Sequence, residues 1–531
     1  MIEADLLLTG AEFVTLDGPD ARSVAVLGDR IVAVDDEVPA REVVDLGGAV
    51  VVPGFHDAHN HLAWFGLTLS EVDLRVSSLD ELYRAVAAKA STAPAGEWIV
   101  GSGYDQNKIG GHPTRDGLDR AAPGRNVWLK HTSGHMCVVN SPVLATLGIA
   151  DRPVDVSGGL VVADPDGRPT GLLQEQAQQL VNALVLPYPI SALVDAIDLA
   201  GRHYLREGVT SCVEAGIGGG WIGKSPVELA AYQSAREQGR LHVRVELMVA
   251  ADALHGLAGH RDDGQELGLD LGIRTGFGDD WLRIGPVKVF SDGSLIGHTA
   301  AMCHDFADTP GERGYLQGEA DDLTATIIAA HRSGWRVATH AIGDAAIDLV
   351  LDAYATAAKR CPRTDPRHRI EHFGVARPDQ VARAAELGVI PVPQGRFVNE
   401  IGDGMLTALG PSRIGWAYRQ RSLLDAGMVV PGSSDRPVVA GAPLLGMHDL
   451  VNRRTSSGAA FAPEEAISGL EALRAFTLGS AFASHQEHVK GSITVGKLAD
   501  LVVLSDNPAT VDPGRIKDIE VLRTMVGGVF R

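Results

Sequence analysis

The stretch "PGFHDAHNHLAWFG", Pro53 to Gly66, carries His56, His59 and His61 within six positions. On an extended chain the i, i+2 spacing of His59 and His61 turns both imidazoles to one face, as two ligands of one metal ion require. His56 stands an odd number of residues from each and should point elsewhere. Further along, Lys288 lies in "RIGPVKVFSDG", and His340, His372 and Asp435 stand at or near the ends of "RVATHAIGD", "RIEHFG" and "MVVPGSSD". Each has a bland reading. A lone histidine at a strand end is commonly a hydrogen-bonded structural residue, Lys288 could snorkel outward, and Asp435 could cap a helix before Pro437. Their joint placement at strand ends argues for a metal site.

The elements that must position these residues read as α/β. After the histidine stretch, apolar β-branched runs alternate with Ala-rich helical stretches. They are Val209–Gly216, His242–Ala250, Arg283–Gly293, Arg336–Asp344, Arg369–Gly374, Val389–Gln394 and Met428–Asp435. With the first strand they make eight, which predicts a (β/α)8 TIM-like barrel whose catalytic groups gather at the C-terminal strand ends. Roughly 145 residues separate the first strand from Val209, far beyond an ordinary barrel loop, so a large insertion is expected over about 67–204. Short apolar runs broken by Gly, Asp and Pro fill 1–52, and the style returns in "GSITVGKLADLVVLSDNP". That is strand-and-turn chemistry, and it predicts a small β-sandwich domain built from both termini, 1–52 with 485–531, around a barrel over 53–484. "GGLVVADPDGRPTGLL" (Gly158–Leu173) lacks both GxGxxG and a GK[ST] ending and reads as a β-hairpin.

The 531 residues carry a formal charge of −20. That balance disfavours nucleic acid or an anionic membrane as partner, because both attract basic patches. The N-terminus shows no signal-peptide pattern, and no apolar run approaches a membrane span. Cys137, Cys212, Cys303 and Cys361 form no CxxC pair and read as reduced packing thiols. The expectation is a cytoplasmic protein acting on a small molecule.

The ordered set "PGFHDAHNH", "VKVFSDGS", "ATHAIGDAAID", "RIEHFG", "GSSDRP" and "GSITVGKLADLVVL" resembles the amidohydrolase superfamily. Within it the set is similar to the amidohydrolase-3 (YtcJ-like) branch, which includes N-substituted formamide deformylases. The resemblance implies that His59 and His61 bind the more buried metal and that His340 and His372 bind a second. It implies that Lys288 is a carboxylated lysine bridging two ions, although a neutral Lys288 beside one ion is the alternative. Asp435 would be the catalytic carboxylate. Zinc suits such ligands, with Mn, Fe, Co or Ni as substitutes. In that chemistry a hydroxide attacks a carbonyl carbon, and Asp435 takes a proton and delivers it to the departing nitrogen. His56 occupies a place where relatives often have an apolar residue, so packing or an outer hydrogen bond is its default. Barrels of this family often form homodimers.

Substrate-facing candidates lie in "LKHTSGHMCVVNS" (His131, His135), where similar segments reach over the barrel mouth, and in "SDGSLIGHTA" (His298). His135 could hydrogen-bond a substrate oxygen or the tetrahedral intermediate, or be structural. Arg436 could anchor substrate or support its loop. The function expected is hydrolysis of a non-peptide C–N bond, first an N-substituted formamide or N-acyl amine. The alternatives are deamination and ester or lactone hydrolysis. Deaminases of the superfamily usually place Glu three residues after the fifth-strand histidine, whereas position 343 is Gly, followed by Asp344. A non-catalytic scaffold is disfavoured, since a purely structural site has no need of Asp435.

Overall fold

The computed structural model describes residues 3–531 apart from 37, 133, 135, 157, 158, 220 and 221. The candidate His135 therefore lies outside the described residues. The chain falls into two compact units, 1–62 with 200–531, and 63–199.

The first unit is built on a seven-stranded parallel sheet. Its strands are β1 (Phe55–Asn60), β2 (Val209–Ile217), β3 (Arg244–Ala250), β4 (Leu282–Phe290), β5 (Val337–Ala341), β6 (Arg369–His372) and β7 (Ile390–Val392). Every residue of β1, β2 and β3 is buried, as expected where helices cover a parallel sheet. Helices Ala320–Arg332, Asp344–Arg360 and Pro378–Glu386 cover the sheet around β4 to β6. Ile347, Val350, Leu351, Tyr354, Val381 and Ala384 pack with Val287, Val289, Val337 and Ile370 in one core. Register then sets the chemistry: Phe290 pairs with His340, and Ala341 with His372, so successive strands bring their polar residues to one rim.

The eighth expected strand, 428–435, is not one. It is an extended segment without regular ladder pairing. Pro431 has no N–H to donate, and Asp435 takes a left-handed φ of 58° that breaks the pleat. It still closes on β1: Ala58 N–H donates to Gly432 O (2.9 Å), Asp435 N–H to His59 O (2.7 Å), and His61 N–H to Arg436 O (2.8 Å). Towards β7 the links run through side chains, with Ser433 Oγ donating to Pro393 O at 3.1 Å. The parallel sheet is thus nearly closed.

Besides a two-stranded ribbon of His255–Gly256 and Leu267–Gly268, two larger sheets belong to this unit. One orders Arg30–Val34, Val24–Leu27, Ala4–Thr9 and Ala40–Asp45; the other orders Glu12–Phe13, Val50–Pro53, Leu501–Leu504, Val521–Val526 and Val529–Phe530. Period-two alternation divides the second sheet between two cores. Val51, Leu501 and Val503 join Leu8, Val24 and Ile31 of the first sheet, while Val50, Val52, Val502 and Leu504 meet Met447, Leu473 and Phe476.

The second unit, 63–199, holds a six-stranded sheet ordered Gly159–Ala163, Pro169–Glu175, Met136–Val139, Val127–His131, Ile99–Tyr104 and Val72–Asp73. Its first two strands form an antiparallel hairpin, Val161 opposite Leu173. Among the described residues, no single helix is long and apolar enough to cross a membrane.

Candidate metal centre

His59 and His61 emerge from the C-terminal end of β1 and converge. Their Nε2 atoms lie 3.3 and 3.2 Å from the same oxygen, Asp435 Oδ1. One ligand atom each from His59, His372 and Asp435 lie within 4.8 Å of one another. His340 sits beside His372, with ring centroids 4.4 Å apart.

Outer partners decide which ring nitrogen faces this centre. His59 Nδ1 is bonded to Glu371, and His61 Nδ1 lies 3.4 Å from Glu214 Oε1. The Gln394 amide donates to Val392 O (2.8 Å), so its oxygen must accept from His372 Nδ1–H (2.8 Å). His340 Nε2–H donates to Gly293 O at 3.0 Å. In neutral rings the remaining nitrogens, Nε2 of His59, His61 and His372 and Nδ1 of His340, carry bare lone pairs. Two lone pairs facing one carboxylate oxygen at 3.2–3.3 Å repel unless a cation lies among them. Protonating both rings would instead set two buried cations with centroids 5.7 Å apart. The donor set fits a divalent metal ion, with carboxylates and carbonyls behind the imidazoles as at metal sites generally.

Burial acts against charge throughout. It pushes His372 down to about 3, and His340 also falls well below the ordinary value. Burial alone would lower His61 too, but Asp435 and Glu214 raise it. It would raise Asp435, yet the His59 and His61 rings at its Oδ1, where they carry protons, hold that carboxyl well below the usual range. Lys288 is buried on β4, which removes the outward-snorkelling alternative. Its Nζ lies 4.9 Å from the Phe290 ring centroid, and burial draws its pKa to about 8 against the pull of Glu371 and Asp435.

Asp435 is placed by backbone rather than by strand pairing. Asp57 accepts from the backbone N–H of His59 and of Ser434 (both 3.1 Å) and from Ser434 Oγ. One carboxylate thus ties the histidine pair to the turn that presents Asp435.

The remaining candidates are engaged elsewhere. His56 is buried, and among the described residues neither ring nitrogen has a hydrogen-bond partner; it packs rather than bonds. The Arg436 guanidinium meets Glu207 at 2.7 Å and lies over the Tyr204 ring at 5.2 Å. His298 Nε2 lies 2.9 Å from Asp308, and its ring meets Phe306 edge-on. His131, in the 63–199 unit, faces Gln106 Oε1 at 2.5 Å and the edge of Tyr104. Sequence reasoning missed Asp57, Glu214, Glu371, Gln394 and Asp292. Asp292 accepts from Ala301, Ile342 and Gly343 N–H groups and so holds the loop after His340. Asp57 and Glu371 stand inside the quoted "DAHNH" and "RIEH" and were within reach; Glu214 and Gln394 carried no local signal.

A nearly closed parallel sheet with imidazoles and a carboxylate at its rim defines a barrel of the metal-dependent amidohydrolase type. The model of the Amidohydrolase family (Amidohydro_3) matches residues 42–531, and the chain belongs to that family. It is 31% identical to the YtcJ protein of Bacillus subtilis (strain 168), over 92% of this chain and 90% of that one. It is 32% identical to an N-substituted formamide deformylase of Arthrobacter pascens, over 99% and 98%. An uncharacterized metal-dependent hydrolase from Pyrococcus horikoshii OT3 superposes with a TM-score of 0.78 at 26% identity, over 96% of this chain and 99% of that one.

Proposed function

We propose that this amidohydrolase cleaves the C–N bond of an N-substituted formamide or a related N-acyl amine. The observation that carries the reading is the Asp435 oxygen set between the Nε2 atoms of His59 and His61. The likeness to the Arthrobacter pascens deformylase supports the substrate class.

His59, His61, His340 and His372 would hold the metal, with Lys288 as a carbamate bridging two ions. Zinc is the first choice, and Mn, Fe, Co or Ni accept the same donors. When bound, such an ion polarises a carbonyl and draws the pKa of water from 15.7 towards about 7. Asp435, ionised, accepts a proton from the attacking water and returns it to the departing nitrogen. An amine leaves poorly unless protonated, so the return matters most for amides. Arg436 and His298 each face a carboxylate of their own, which favours an uncharged N-formyl amine over an N-acyl amino acid. Asp344 is no substitute for a deaminase's ring-protonating acid: its oxygens face Cys303 N–H (2.8 Å) and Arg377.

In domain terms, the sheets sharing the core of Leu8 and Leu501 are read as the β-sandwich of both termini, and 63–199 as the insertion. The function is tested by amine release from N-formyl amines, N-acyl amines, dipeptides and cyclic amides, using native, chelator-stripped and zinc-restored protein. Metal-dependent release from N-formyl amines is expected. Silence across the panel with metal bound would move the assignment to deamination or ester hydrolysis, followed by ammonia and acid release.

A further inference from the structure

The four imidazoles of the centre are not backed alike. Behind His59 and His61 stand the carboxylates of Glu371 and Glu214; behind His372 stands the Gln394 amide. His340 Nε2–H donates to the Gly293 carbonyl at 3.0 Å, with Asp292 Oδ1 farther off at 3.4 Å and both Asp292 oxygens already accepting from backbone N–H groups. We infer that Glu371 and Glu214 are positioning residues that make the His59–His61 half of the centre its tight metal-binding half. The inference rests on the metal-centre reading above.

Glu371 is fully buried and doubly held. Arg369 Nε donates to Oε1 (2.7 Å) and Nη2 to Oε2 (2.9 Å), while the same Nη2 donates to Ala58 O on β1 (2.7 Å). The pair bolts β6 to β1 directly behind His59 and leaves Glu371 no freedom to turn away. Glu214, on β2, is buried and accepts from the Tyr232 hydroxyl, with its other oxygen towards His61. Hydrogen bonds to a carboxylate are roughly twice as strong as those to a neutral oxygen. A carboxylate also pushes electron density through the ring and makes the far nitrogen a better donor. The Gly293 carbonyl and the Gln394 amide fix the orientation of His340 and His372 without adding that charge, and Asp292, near His340, spends both oxygens on the backbone N–H groups of Ala301, Ile342 and Gly343.

The test is competitive zinc titration against a chromophoric chelator for the full-length wild type, Glu371→Gln and Glu214→Gln. Glutamine keeps an acceptor oxygen, so orientation is retained while charge is lost. Each variant should weaken the tightest zinc step by about 10- to 100-fold. A tightest step unchanged within about threefold in both variants overturns the inference. Because Glu371→Gln leaves the Arg369 charge buried, the double variant Arg369→Gln/Glu371→Gln is run beside it with a melting curve. A merely structural role lowers the melting temperature and leaves the zinc step where it was. A wild type that takes up no zinc overturns the metal-centre reading itself, a different result from wild-type zinc affinity in both variants.

Discussion

Two groups of buried histidines in the barrel unit use their nitrogens in opposite ways. At the rim, His59, His61 and His372 each spend Nδ1 on a glutamate or glutamine and turn Nε2 inward. His331 and His368 close on themselves. Val337 N–H donates to His368 Nδ1 (3.0 Å), so in the neutral ring Nε2 carries the proton and donates it to His331 Nδ1 (2.7 Å). His331 Nε2–H in turn donates to Cys361 O (2.7 Å). Every nitrogen of the pair is consumed, and Tyr354 stacks over His368. Histidine at a strand therefore says little about chemistry; a nitrogen left over after the internal bonds are counted says much more.

If that contrast is right, changes at the rim should cost turnover and metal, and changes at the pair should cost stability alone. The largest effect is expected at Asp435. Asp435→Asn keeps shape but cannot carry a proton, so turnover should fall by about 10²- to 10⁴-fold with metal content retained. Full activity in that variant would take Asp435 out of the mechanism. Lys288→Ala comes next: if a carbamate joins two ions, the zinc-to-protein ratio measured by emission spectrometry should fall towards one. A ratio already near one in the wild type and unchanged by the substitution would mean a single ion beside an unmodified Lys288. At the pair, His368→Ala should lower stability by roughly 3 kcal/mol, from a cavity and an orphaned His331 nitrogen. Turnover and zinc content per folded molecule should hold, and loss of zinc there would erase the contrast.

Much of the rim could be read in the chain, because its signals are local. The i, i+2 spacing in "HNH" holds on any extended strand, and Asp435 sits in a turn marked by Pro and Ser. The supports were not legible for the opposite reason. Glu214 reaches His61, and Gln394 reaches His372, across strand pairings that only the sheet register creates. The last strand failed because its alternation is apolar enough for β, while Pro431 and the left-handed Asp435 deny it the ladder. Arg436 shows a third limit: the glutamate that meets its guanidinium lies 229 positions earlier.

The smallest effect separates the two groups by acid. Burial sets His368 well below the ordinary imidazole value, and the neighbouring His331, Arg363 and Arg336 push the same way; burial lowers His331 too. Their folded pKa values thus lie under the unfolded value near 6.5. Below that pH the unfolded chain takes up protons that the native pair refuses. The pair's contribution is whole above pH 6.5 and is lost as pH falls towards the folded values, by up to about 1.4 kcal/mol per pH unit for His368. Carboxylates elsewhere also respond to acid, so the readable quantity is the difference between wild type and His331→Leu/His368→Leu. Urea unfolding at pH 7.5, 6.5 and 5.5 should show the wild type losing stability faster than the variant below 6.5, with parallel curves above it. Parallel curves throughout would mean that the pair accepts a proton without cost, and the closed chain of hydrogen bonds would not be what holds it neutral.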